Sequence, residues 1–222
     1  MITGYNHQFM SDLFLILAVI NCAVSSLLFF PGFLLFWRLF FAEKKYEPVN
    51  EYNTSVSVII PARNEERNLP HLLESLIKQT VSPLEVIVVD DCSSDSTAQV
   101  VRTHGARVLC IQEKPDGWQG KSFACRTGAL KAKGEVLLFL DADVTLKPEG
   151  IAWLLSQYQG SGGLLSVQPY HDVIRPYESL SLFFNLAVMA GLDSFSLFYR
   201  SGGAAGAFGP CVMVEKNLYF MT

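Results

Sequence analysis

LLFLDADVTLKP, residues 137–148, carries an apolar run straight into two carboxylates, Asp141 and Asp143, with one small residue between them. The run starts at Val136 and stays apolar to Leu140, the pattern of a short strand covered on both faces in a parallel sheet. Its end has two readings. It is an ordinary polar loop closing a strand, or it is a place that holds a metal ion and a phosphate.

The same scheme recurs upstream. In VSVIIPARNEE, Val56–Ile60 is a run rich in β-branched residues, which Pro61 is expected to stop. Residues 65–79 then set Leu69, Leu72, Leu73, Leu76 and Ile77 at helical spacing. EVIVVDDCSSDST supplies a second strand, 85–89, followed by two aspartates, with Ser94 or Asp95 expected to cap the next helix. Residues 107–111 read as a third strand and 120–132 as a helix leading into the opening stretch. Four alternations of strand and helix predict an α/β, mostly parallel, doubly wound sheet. Such sheets take ligands in the crevice beyond the carboxyl ends of their strands. ARNEE, DDCSSDS and DAD all fall at such ends, so Asp141 and Asp143 are expected to face a crevice. Both can turn toward one hard divalent cation, Mn²⁺ or Mg²⁺, leaving other coordination positions to water or a diphosphate.

Several function classes are excluded. A dinucleotide fingerprint would place GxGxxG after the first strand, but that position reads PARNEE. The P-loop pattern is absent too. Gln119-Gly120-Lys121-Ser122 resembles only its end, which leaves Lys121 and the start of its helix as phosphate contacts. Seventeen basic against twenty-one acidic residues, with no basic block, argue against nucleic acid. Cys22, Cys92, Cys110, Cys125 and Cys211 form no CxxC pair, which argues against a zinc or disulfide framework.

From Leu13 to Trp37 no residue is charged. As a helix this stretch would span roughly 37 Å at about 1.5 Å per residue, against a hydrocarbon core of about 30 Å. Residues 1–41 are therefore expected to form one N-terminal transmembrane helix, kinked at Pro31 and Gly32. Arg38, Lys44 and Lys45 would place everything after it in the cytoplasm, giving a single-pass protein of the cell membrane. Residues 42–53 read as a linker and 54–222 as the domain proper. The apolar stretch 180–199, broken by Asn185 and Asp193, is expected to lie as a helix at the membrane interface.

VSVIIPARNEERNLPHLLESL (56–76), VIVVDDCSSDST (86–97), GWQGKSFACRTGALKAKGEVLLFLDADV (117–144) and, more loosely, FGPCVMVEKNLYFMT (208–222) resemble the inverting glycosyltransferases of family 2, built on the GT-A fold. The N-terminal helix and GWQGKSFA look like bacterial enzymes that glycosylate lipids, carotenoid acids included. The resemblance implies a Rossmann-like GT-A domain. It also implies metal-dependent transfer of a sugar, with inversion, from a UDP-linked nucleotide sugar to a lipid or other lipophilic acceptor. By the same resemblance Pro61, Ala62 and Glu65 would line the nucleoside site, and Asp91, with Asp90 beside it, would bind the base. Lys121 would lie near the base or diphosphate. Asp143 would ligate the metal, with Asp141 on the ribose or on metal-bound water. Trp118 would pack beside the donor or lie at the membrane face.

One part of the family pattern is missing. The base that removes the acceptor proton is normally the Asp of an ED-type motif, and this sequence reaches YFMT without a counterpart. Asp172 and Asp193 stand in no motif. The expectation is a donor-binding part with an incomplete acceptor part and no assigned base. The remainder would be lost by truncation or encoded as a separate C-terminal half. The alternative is an inactive, membrane-anchored module that binds nucleotide sugars.

Overall fold

The computed structural model describes residues 3–35, 54–161, 163–169 and 209–221. The chain divides into two compact units, one containing helix α1 (Thr3–Leu35) and the other containing a six-stranded sheet with its helices.

The sheet unit runs β1 (Val56–Ala62), α2 (Leu69–Ile77), β2 (Glu85–Asp90), α3 (Thr97–Thr103), β3 (Arg107–Cys110), α4 (Gly120–Lys131), β4 (Val136–Leu140), α5 (Gly150–Ser161), β5 (Leu164–Ser166), β6 (Cys211–Glu215) and α6 (Lys216–Met221). In space the strands lie in the order β3-β2-β1-β4-β6-β5. β3, β2, β1 and β4 are mutually parallel, whereas β6 is antiparallel to both β4 and β5. The predicted α/β sheet is therefore mostly parallel.

Strand alternation divides its core in two. Val56, Val58, Ile60, Val88, Leu138 and Leu140 point to one face, where Leu69, Leu72 and Leu76 of α2 and Ile151 and Leu155 of α5 cover them. Ile59, Ile87, Val89, Leu137 and Phe139 point to the other face, against Ala124 and Ala129 of α4. Both faces need apolar residues, which is why the strands read as continuous runs.

Several expected boundaries move. β1 continues through Pro61 to Ala62. β4 pairs with β1 only as far as Ile59, so at Pro61 that flank carries no ladder and the missing N–H costs nothing. α2 begins at Leu69 instead of 65, because Pro70 is tolerated only in a first turn. Ile77, expected on its buried face, is 69% exposed. The cap of α3 is Ser96, which makes no side-chain capping bond. Asp95, one residue earlier, accepts the Thr97 N–H at 3.0 Å instead.

The expected membrane anchor is overturned. Among the described residues no helix is long and apolar enough to cross a membrane. The single-pass topology, the cell-membrane placement and the cytoplasmic side deduced from them fall with it. α1 is 33 residues long, but Asn21, Ser25 and Ser26 sit in the middle of the supposed span, and Ser25 Oγ donates to Asn21 Oδ1 at 3.5 Å. The stretch was uncharged without being uniformly apolar. Trp37, the orienting charges Arg38, Lys44 and Lys45, the linker 42–53, the interfacial stretch 180–199, and Asp172 and Asp193 all lie outside the described residues.

At the amino ends of the strands a buried serine ties β1 to β2 and to the turn that leads into β4. Ser57 Oγ donates to Glu85 Oε1 at 2.8 Å and accepts the Gly134 N–H at 2.8 Å. Ser57→Ala leaves that buried N–H without a partner. It should cost about 1–3 kcal/mol in denaturant unfolding while leaving the opposite, carboxyl end of the sheet unchanged. An unfolding midpoint equal to the parent's would show that the network carries no stability.

Candidate functional site

The carboxyl ends of β1, β2 and β4 open onto one cleft of about 400 Å³, lined by Pro61, Ala62, Arg63, Glu65, Asp91, Gly120, Lys121, Ala124, Asp141, Ala142 and Asp143. Residues from four separate stretches of the sequence meet there because the strands that carry them are parallel neighbours, with α4 lying across β1 and β2.

Two loops form the wall on the β1–β2 side and are stitched together. The Asp91 N–H donates to the Ala62 carbonyl at 2.8 Å. Asn64 N–H reaches Ser93 Oγ at 2.9 Å, and Ser94 N–H reaches Asn64 Oδ1 at 2.8 Å. Glu65 N–H donates to the hydroxyl of the fully buried Thr97 at 2.8 Å. Asn64 and Cys92 hold φ of 57° and 56°, strained values for side-chain-bearing residues, and they mark where each loop reverses. Burial works to raise the Asp95 pKa, but hydrogen bonds from the Thr97 hydroxyl and from the Thr97 and Glu66 amides prevail and hold it below the usual carboxylate value.

Asp91 forms the floor of this wall and is 5% exposed. Lys114 Nζ donates to its Oδ2 at 3.1 Å and stands 3.1 Å from Oδ1, while Arg63 Nη1 lies 4.0 Å from Oδ2. The Lys114–Oδ1 contact lacks hydrogen-bond geometry, so Oδ1 is buried without a hydrogen-bond partner. Gly120, the first residue of α4, is packed so close that a Cβ there would collide with Asp91 Oδ2. Asp90, expected beside it in the site, is not a lining residue. Its carboxylate is buried and accepts the Ser93 N–H at 3.0 Å, closing the turn.

On the β4 side, Lys121 pairs with Asp141 through both oxygens, 2.6 Å to Oδ1 and 2.9 Å to Oδ2. Asp143 is exposed and makes no hydrogen bond or ion pair among the described residues. Two thiols feel this region. Burial, with the Asp141 charge added, pushes Cys211 up to about 12. Burial also pushes Cys125 up to about 11, Lys121 lowering it and Asp141 raising it. Both therefore stay neutral at physiological pH in these surroundings.

Among the described residues no group of three or more His, Cys, Asp or Glu could cage a metal. The cleft instead offers the two carboxylates of Asp141 and Asp143. Such a pair fits a hard cation that keeps water and phosphate oxygens in its remaining positions. It does not fit a structural zinc ion.

The structure thus brings Pro61, Ala62, Glu65, Asp91, Lys121, Asp141 and Asp143 to one cleft and leaves Asp90 out. Sequence reasoning missed Arg63 and Lys114. Arg63 lies inside ARNEE and was legible as part of that cluster. Lys114 lies in an aperiodic loop and meets Asp91 across 23 residues of chain, with no local signal. Trp118 is not a lining residue. It stands edge-on to Phe123, ring centroids 5.6 Å apart, with the Arg126 guanidinium 5.4 Å from its ring.

Comparison with known proteins agrees with this architecture. The profile of Glycosyl transferase family 2 matches residues 57–210. A 4,4'-diaponeurosporenoate glycosyltransferase of Staphylococcus haemolyticus is 42% identical over 205 residues, covering 90% of this chain and 54% of that protein. The enzyme of the same name from a bovine strain of Staphylococcus aureus is 44% identical over 182 residues, covering 80% and 48%. The chain thus spans about half the length of the curated relatives it matches. Among solved structures, a Pyrobaculum calidifontis mannosyltransferase in complex with GDP-mannose and Mn²⁺ superposes with a TM-score of 0.59 at 24% identity, over 91% of this chain and 57% of that one. Glucosyl-3-phosphoglycerate synthase of Mycobacterium tuberculosis gives a TM-score of 0.53 at 20% identity, over 74% and 58%. Likeness at these identities establishes the shared fold.

Proposed function

Because the chain belongs to glycosyl transferase family 2, we propose that its cleft is the donor site of a sugar transfer from a UDP-linked nucleotide sugar to a lipophilic acid or other lipid acceptor. The observation that carries this reading is the convergence of Glu65, Asp91, Lys121, Asp141 and Asp143, from separate blocks of sequence, on one crevice at the carboxyl ends of parallel strands.

Each group has a chemical task in this reading. Pro61, Ala62 and Glu65 flank the nucleoside. Asp91 accepts an N–H from the base, and Arg63 and Lys114 hold that carboxylate in place. Lys121 meets the diphosphate at the first turn of α4, where the open amides of a helix start favour an anion. Asp143, with Asp141, would hold Mn²⁺ or Mg²⁺. When bound, such an ion neutralises the charge of a departing diphosphate.

The transfer is a single displacement. An acceptor oxygen forms a bond to the anomeric carbon as the bond to the diphosphate breaks, and the nucleoside diphosphate leaves with that electron pair. A carboxylate acceptor, as the names of the staphylococcal relatives specify for those enzymes, has no proton to surrender. A hydroxyl acceptor needs a base, and no described residue is assigned that task. A separately encoded polypeptide supplying it belongs to this reading for hydroxyl acceptors.

Calorimetric titration of UDP-glucose into the purified chain, with and without Mn²⁺, tests the reading. Saturable binding that requires the metal is expected. A folded chain that binds neither UDP- nor GDP-sugars in the presence of Mn²⁺ would overturn it.

A further inference from the structure

Lys121 and Asp141 form the tightest ion pair in the cleft, yet half of the lysine side chain is open to water, 55% against 25% for the aspartate. An exposed pair of this kind is weak, held by charge and not by packing, and its long, flexible lysine is easily drawn elsewhere. The pair also occupies the carboxylate that a divalent ion would need. With an ammonium 2.6 Å from Oδ1 and 2.9 Å from Oδ2, neither oxygen of Asp141 can take a dication without placing two positive centres side by side. Asp143 has no such partner among the described residues, so there the two carboxylates of the DAD stretch are unequal: one is neutralised by a lysine and the other is not.

We propose that Lys121 is an exchangeable counter-cation that couples metal binding to nucleotide binding. This rests on the donor-site reading above and goes beyond it. In the free chain Lys121 neutralises Asp141, so a divalent ion meets little more than the single charge of Asp143 and binds weakly. A nucleoside diphosphate arriving at the start of α4 offers the ammonium a stronger anion. Lys121 moves onto it, and Asp141 is released to the cation. Each ligand thereby creates the other's site, and by linkage the enhancement is the same in both directions. The device keeps the acidic pair charge-balanced without a donor and lets the metal assemble only with the diphosphate it serves. Lys121 acts here directly on the diphosphate and, through Asp141, on the cation.

The test measures binding of Mn²⁺ by its paramagnetic resonance signal, with and without UDP, in the full chain and in Lys121→Met and Lys121→Arg. In the parent, UDP should tighten Mn²⁺ by at least about tenfold. Lys121→Met should tighten Mn²⁺ alone by about tenfold, weaken UDP measured with Mn²⁺ by a similar factor, and largely erase the coupling. A residue with a merely structural role would not shift the two ligands in opposite directions. Lys121→Arg keeps the charge and should restore most of the coupling. If Lys121→Met leaves Mn²⁺ alone unchanged or weaker while UDP still binds with Mn²⁺, the exchange is wrong and the donor-site reading stands. If the folded parent binds no UDP with Mn²⁺, the donor-site reading itself fails, and the exchange falls with it.

Discussion

Asp143→Ala should reduce Mn²⁺-dependent binding of a UDP-sugar by at least about a hundredfold while leaving the unfolding midpoint nearly unchanged. The asymmetry comes from position. Asp143 is exposed, beyond the end of β4, and holds no other described group, so its loss removes no packing and orphans no buried partner. It is also the one carboxylate of the pair that no described lysine neutralises. Groups that merely orient a metal ligand are worth about 10- to 100-fold in affinity, so loss of the ligand itself starts near the top of that range. The measurement is a titration of the variant beside the parent at matched metal concentration, with circular dichroism to verify the fold. Donor binding that is unchanged, or equally strong in chelator for both proteins, would remove Asp143 from the metal site.

The sheet and the polar ends of its strands were legible for one physical reason. A strand buried on both faces must be apolar at every position, and the carboxyl ends of parallel strands are where polar groups can gather. Val136–Leu140 followed by Asp141 shows both, and the structure places the strand at those residues. Local rules failed where distant neighbours decide the outcome. Pro61 reads as a stop signal, yet it is accommodated because β4 has already left that flank of β1. β6 inserts antiparallel between β4 and β5, a pairing set by contacts that no local pattern encodes. The membrane span failed differently. Absence of charge alone does not make a span, and among the described residues no helix is long and apolar enough to cross a membrane.

The site was legible in its carboxylates and less so in its cations. Asp91, Asp141 and Asp143 announce themselves by following strands. Asp90 is the last residue of β2 and turns inward to Ser93, away from Asp91, because successive residues along a strand point to opposite sides. Lys114 is readable only once the fold sets its loop over Asp91.

Gly128 shows how the core of this sheet fixes the geometry of its cleft. It lies on the buried face of α4, where a Cβ would come within 2.5 Å of Ile59 Cγ2 and 3.1 Å of Val89 Cγ2. Both neighbours are β-branched, fully buried and held in the paired strands β1 and β2, so neither can swing aside. Gly128→Val must therefore lift α4 from the sheet or distort β1 and β2, and overpacking of this kind costs about 1–3 kcal/mol. The upper part of that range is expected, because a third β-branched side chain is being forced against two others. The helix also carries Gly120 against Asp91 and Lys121 against Asp141, so a displacement small enough to preserve the fold still moves two walls of the cleft. Donor affinity should then fall by about tenfold or more in the fraction that remains folded, since displacements near 1 Å are enough to disable preorganised sites. Denaturant unfolding and UDP titration on the same preparation separate the two effects. Parent-like stability would mean that α4 does not rest on the sheet at Gly128. Lost stability with parent-like affinity would mean that the cleft is held by its loops and not by the helix.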